Sequence, residues 1–117
     1  MKVLFIDDTV DNLSLFKIYM KNFDEADCTF ESDPRKGIEH ILTDTFDIIF
    51  LDIEMPEIDG FQVLDSVDSI KAPIFALTAH LSGEIINRIK EHTKIQGVVH
   101  KPVLKKNLIE IIKNEAS

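Results

Sequence analysis

In Phe46-Asp47-Ile48-Ile49-Phe50-Leu51-Asp52-Ile53-Glu54-Met55-Pro56-Glu57-Ile58-Asp59-Gly60, the continuous apolar run Ile48 to Leu51 stops abruptly at a carboxylate, Asp52. An unbroken apolar run of this length matches a strand buried on both faces, the pattern of a parallel sheet covered by helices. Beyond it, Pro56, Asp59 and Gly60 break regular structure. An acid at the C-terminal tip of such a strand stands where open α/β sheets bind their ligands. Taken alone, Asp52 would equally well begin a turn. The other strand tips decide between these readings.

Working outward, Val3 to Ile6 predicts a first buried strand closed by Asp7-Asp8. Leu13, Phe16, Met20 and Phe23 recur at helical spacing and predict a first helix over about 11–22. Ala26 to Glu31 alternates loosely, as an edge-side second strand would. Asp33-Pro34 opens a second helix, with Asp as N-cap and Pro at the first helical position. Its buried stripe is expected at Ile38, Ile41 and Leu42. After the quoted stretch, Val63, Leu64, Val67 and Ile70 predict a third helix, and Pro73 to Leu77 a fourth strand ending at Thr78. Ser82-Gly83-Glu84 can start a fourth helix, whose inner face carries only Ile85, Ile86 and Ile89. Gly97-Val98-Val99 predicts a short fifth strand, stopped by Lys101-Pro102. Leu104, Leu108, Ile111 and Ile112 are expected on the inner face of a final helix. Five alternations of strand and helix, with short connections, imply right-handed crossovers and one doubly wound parallel α/β sheet. All the strand tips then share one edge.

The 117 residues fit one domain with a core large enough to need no disulfide or metal staple. Lys+Arg 13 against Asp+Glu 21 gives a net charge of −8, which disfavours direct binding of nucleic acid or an anionic membrane. The balance suits a basic partner or a metal cation instead. Cys28 has no internal partner and reads as a small core residue in a reducing compartment. The N-terminus reaches Asp7 too early for a signal sequence, and no apolar run approaches a membrane span, so a cytoplasmic location is expected.

The first strand tip carries Asp7 and Asp8, the third Asp52, the fourth Thr78 and the fifth Lys101. Individually these could be a capping pair, a turn, a cap and a solvated lysine. Together they make one chemistry. Carboxylates ~4 Å apart repel by about 4 kcal/mol at an effective dielectric of 20 and raise one another's pKa. A hard dication removes that penalty, and Mg²⁺ takes one or two carboxylates plus waters and phosphate oxygens. Mg²⁺ is favoured over Zn²⁺ because neither Cys nor His joins the set. Metal, hydroxyl donor and ammonium together suit a phosphoryl group.

The ordered set Asp7-Asp8, Leu51-Asp52-Ile53-Glu54-Met55-Pro56 with Asp59-Gly60, Leu77-Thr78-Ala79 and Lys101-Pro102 resembles the receiver domain of two-component response regulators, as in single-domain chemotaxis-type regulators. The resemblance spans the whole chain, 1–117. It implies a flavodoxin-like (βα)5 sheet of order 2-1-3-4-5. It further implies that Asp52 takes a phosphoryl group from a phosphohistidine on a sensor histidine kinase or histidine phosphotransfer protein. Asp8 and Asp52 then resemble direct Mg²⁺ ligands, Asp7 one acting largely through water, and the backbone carbonyl of Glu54 the remaining protein ligand, its side chain left free to vary. Thr78 resembles the switch hydroxyl and Lys101 the lysine that contacts the phosphoryl group. Lys101-Pro102 resembles the family's cis peptide.

Where the family commonly has Tyr or Phe, three positions before the lysine, this chain has Val98, so output is expected through backbone movement or through His100. His80 and Glu54 are expected to tune phosphoryl lifetime; His40 and His92 are expected on helix surfaces. Asp7-Asp8 with Asn12 and Leu77-Thr78-Ala79 is similar to receivers of hybrid kinases. The resemblance also implies docking or phosphorylation-dependent dimerisation through the face of the fourth helix, fifth strand and fifth helix. A flavin protein of the same fold is disfavoured because Asp7-Asp8 would repel its phosphate. An aspartate-nucleophile phosphatase would need a second Asp where this chain has Glu54, and a non-phosphorylated pseudo-receiver would have lost a site residue. No turnover of an external substrate is expected.

Overall fold

The computed structural model describes residues 1–80 and 82–116. Its strands are β1 (Lys2–Ile6), β2 (Asp27–Glu31), β3 (Ile48–Asp52), β4 (Ile74–Thr78) and β5 (Ile95–His100). They alternate with α1 (Val10–Met20), α2 (Pro34–Thr43), α3 (Gly60–Asp65), α4 (Gly83–Glu91) and α5 (Lys105–Ala116). All neighbouring strands pair in parallel, in the order β2-β1-β3-β4-β5. This is the doubly wound, flavodoxin-like sheet that the alternation and the resemblance predict. No helix among the described residues is long and apolar enough to cross a membrane.

Period-two alternation within the buried strands divides the core between the two faces. Val3, Phe5, Ile48 and Phe50 pack with Leu13, Phe16 and Met20 of α1 and Leu108 and Ile112 of α5. Leu4, Ile6, Ile49 and Leu51 face the other way, where Ile38 and Ile41 of α2 and Val63 and Leu64 of α3 cover them. On the first face the register lines Phe30, Phe5, Phe50 and Phe75 in one row across four adjacent strands. Successive ring centroids are 5.0, 5.0 and 5.8 Å apart. The row ends at Gly97 on β5, where an added Cβ would lie 3.0 Å from the Phe75 ring.

The Asp33-Pro34 helix start is as expected, with the Asp33 carboxylate accepting from the Arg35 N–H at 2.9 Å. Four expectations need correction. Leu42 is 62% exposed rather than part of the α2 stripe. Residues advance about 100° each around a helix, and Gly37, pressed against Ile6, turns the buried face toward Gly37 and Ile41 and leaves Leu42 at its margin. Leu104 is 57% exposed because it precedes α5, and Val103 enters the core instead. The third helix ends at Asp65, before Val67 and Ile70, which still pack inward. There the Lys94 ammonium donates to the Leu64 carbonyl at 2.7 Å and to the Val67 carbonyl, satisfying acceptors that a helix end leaves open. Finally, His92 is not a surface helix residue: it caps α4, its side chain is 18% exposed, and it lies 3.4 Å from Asp65 and beside the Phe61 ring. His40 does lie on α2, half-buried, 3.0 Å from the Glu31 carboxylate. Cys28 is half-buried at the core margin, and burial together with Asp27 pushes its thiol up to about 11.

Candidate functional site

The parallel pairing brings the ends of β1, β3, β4 and β5 to one rim. Asp7 follows β1 directly, its N–H given to the Glu31 carbonyl at 3.1 Å and its side chain wholly buried. One carboxylate oxygen accepts from the Thr9 N–H at 2.9 Å, and the other from the Asn12 amide at 3.2 Å. Asp52, the last residue of β3, is buried too, and accepts from the Glu54 N–H at 3.1 Å. Gly60 permits this approach of α3 to the end of β3: a Cβ there would lie 2.6 Å from the Asp52 carbonyl oxygen and 2.8 Å from the Ile53 Cα. Asp7, Asp8 and Asp52 each offer a carboxylate oxygen, all within 4.8 Å of one another. The three carboxylates read from the strand tips are therefore gathered in one place, a donor set that could hold a metal ion.

Lys101, just past β5, joins this group. Its N–H donates to the Thr78 carbonyl at 2.8 Å, and the following peptide, Lys101-Pro102, is cis. Two residues on, the Val103 carbonyl accepts from the Tyr19 hydroxyl at 2.9 Å, which fastens the turn to α1. The ammonium then sits 3.1 Å from Asp7 Oδ2 and 3.2 Å from Asp52 Oδ1. Burial, and after it the Asp7 charge, drive the Asp52 carboxyl up to about 7 against the pull of Lys101. Burial pulls the Lys101 ammonium down, but Asp52 and Asp7 more than reverse this, and its net direction is up. One ammonium against three carboxylates leaves negative charge in excess, the condition that favours a cation of higher charge.

Thr78 is wholly buried at the end of β4. Its hydroxyl donates to Glu54 Oε1 and accepts from the His80 N–H at 3.0 Å. His80 Nε2 lies 3.2 Å from Glu54 Oε2. Sequence reasoning gave the Glu54 backbone a ligand role and paired Glu54 with His80 in tuning phosphoryl lifetime, but it missed this side-chain bridge to Thr78. The register held the clue: β3 and β4 pair Asp52 with Leu77, so Glu54 and Thr78 leave adjacent strands within two residues of that pair. Val98 is half-buried and packs near Ala76 and Ile89, and His100 is exposed.

The chain belongs to the response regulator receiver domain family, which it matches over residues 3–113. It is thus a receiver domain of the two-component and phosphorelay type, a signalling family. Among curated relatives, it is 36% identical over 73 residues to Stress response regulator protein 1 of Scheffersomyces stipitis, covering 62% of this chain and 25% of that protein. It is 28% identical over 123 residues to Hybrid signal transduction histidine kinase L of Dictyostelium discoideum, covering 96% of this chain and 7% of that protein. The chain therefore spans a quarter or less of these two relatives. The receiver domain of a Francisella response regulator superposes with a TM-score of 0.83 at 27% identity, covering 97% of this chain and 94% of that one.

Proposed function

We propose that Asp52 is the phosphoacceptor of this receiver domain and that its donor is a phosphohistidine on a sensor histidine kinase or histidine phosphotransfer protein. The observation that carries this reading is the buried Asp52 carboxylate sharing one pocket with Asp7, Asp8 and the Lys101 ammonium. A carboxylate oxygen of Asp52 attacks phosphorus in line. The P–N bond to the donor imidazole breaks, and its electron pair leaves with the ring nitrogen. Lys101 exchanges its carboxylate contacts for phosphoryl oxygens, and Thr78 supplies a hydroxyl donor. Asp7, Asp8, Asp52 and the backbone carbonyl of Glu54 would hold Mg²⁺. When bound, the ion neutralises the charge that makes the carboxylate cluster unfavourable.

Phosphorylation then biases the loop after Thr78 and α4, and the face of α4, β5 and α5 presents the outcome to a downstream protein or to a second copy of the domain. With Val98 at the usual aromatic position, that output runs through the backbone of this loop. The domain assists its own phosphorylation and turns over no external substrate. Incubation with acetyl phosphate and Mg²⁺ tests the reading by intact mass. The expected result is a gain of one phosphoryl group in the wild type and none in Asp52→Asn. Equal labelling of both proteins, or of neither, overturns it.

A further inference from the structure

We infer that the Glu54 side chain is a positioning residue that withholds the Thr78 hydroxyl in the resting domain, so that a phosphoryl group on Asp52 must displace it. This rests on the phosphoacceptor reading of Asp52. A threonine hydroxyl has one proton to donate. Here that proton goes to Glu54 Oε1, and the hydroxyl oxygen is engaged from the other side by the His80 N–H at 3.0 Å. The same proton cannot also serve a phosphoryl oxygen. Resting and phosphorylated states therefore compete for a single donor inside a buried pocket, where an unpaired hydroxyl is costly.

The geometry also supplies the exit. Glu54 Oε2 already lies 3.2 Å from His80 Nε2, and the His80 side chain is 59% exposed. A new phosphoryl charge repels the Glu54 carboxylate, which can swing toward solvent while keeping its contact with the histidine ring. Because Glu54 belongs to the loop after β3 and Thr78 ends β4, releasing this contact frees the Thr78 hydroxyl while the Glu54–His80 contact still joins the two loops. Glu54 thereby lowers the fraction of molecules with a competent Thr78, and the apparent affinity for the phosphoryl group falls by the same factor.

The test uses the whole chain with Mg²⁺ and beryllofluoride as phosphoryl mimic. Before any mimic is added, Glu54→Ala is expected to shift the Thr78 methyl and His80 amide resonances; unchanged resonances overturn the contact in solution. On titration, Glu54→Ala is expected to bind the mimic about tenfold more tightly than the wild type, the scale of one hydrogen bond to a charged acceptor. Removing a carboxylate also lowers repulsion, so the same change is made in Thr78→Val, and in Thr78→Ala should the valine variant fail to fold. The gain is expected to vanish there. An equal gain with and without the Thr78 hydroxyl means that Glu54 acts by charge alone and overturns the inference. If the resonances shift but the wild type takes up no mimic, the phosphoacceptor reading fails, and the displacement fails with it.

Discussion

The two sides of the functional rim are built differently. On one, Asp7 and Asp52 are buried, Lys101 spans them, Asn12 and the Glu54 N–H bond the same two oxygens that Lys101 contacts, and the Thr9 N–H holds the other oxygen of Asp7. The adjoining helix α1 sinks Leu13, Phe16 and Met20 into the core. On the other, Thr78 leads into the exposed His80, and α4 buries only Ile89. The N-cap of α4, Ser82, makes no side-chain capping bond, and Gly83 faces open space. The far end of α4 is tied down: Arg88 stacks 4.0 Å from the Phe61 ring centroid, and His92 and Lys94 reach back to α3. The proposed chemistry thus stands on a buried frame, whereas α4, the element proposed to respond, is bonded chiefly at its far end, with Ile85 packing on the core nearer its start, a build that suits a segment of low local stability.

The sharpest way to break this contrast is Lys101→Ala. Loss of the cation facing the phosphoryl group is expected to slow labelling by acetyl phosphate about a hundredfold, read by mass against time; an unchanged rate would take Lys101 out of the reacting side. Next come the two cores. Phe50→Ala, at the centre of the sheet, is expected to cost about 3–5 kcal/mol by urea denaturation, and Ile89→Ala under α4 about 2 kcal/mol, the low end for an isoleucine. Equal losses would mean that α4 is as firmly built in as β3.

Saturating Mg²⁺ at about 100 times its Kd is expected to add about 2.7 kcal/mol to stability, an increment that Asp52→Asn should reduce. Without metal, folded Asp52 holds its proton up to about 7, whereas an unfolded aspartate releases it near ~4. The folded state therefore binds more protons across that window, and stability falls as pH rises through it. Asp52→Asn should flatten this slope in chemical denaturation; a slope of the same size in the variant would place the titration elsewhere. The smallest effect is local. Beryllofluoride with Mg²⁺ is expected to change hydrogen exchange in α4 and the loop before it, leaving β1 and β3 as they were. Identical protection with and without the mimic would remove α4 from the response.

The strands and the charged rim were legible in the sequence because β1, β3 and β4 carry unbroken apolar runs and each site-bearing tip is marked by an abrupt polar residue. Asp7, Asp52, Thr78 and Lys101 needed only chain direction to be placed on one edge. What escaped depends on tertiary contact. Leu42 fits a helical stripe, but the contact of Gly37 with Ile6 sets how α2 rotates. The end of α3 is fixed by Lys94, about thirty residues downstream, an acceptor–donor match that no local pattern announces. Glu54 was read as a tuning position beside His80, but its contact with Thr78 was not foreseen. The bridge to Thr78 and His80 becomes visible only once β3 and β4 are laid side by side in register.

The stacked phenylalanines give the interior a grain. Four rings in contact from β2 to β4 bind neighbouring strands through a shared layer, and moving any one strand by a single residue would turn its ring to the opposite face. Sliding of the sheet is thereby closed off as a way of carrying a message. On the proposed reading, whatever arrives at the acids would travel around the margin of the domain, through its loops, rather than through the middle of the sheet.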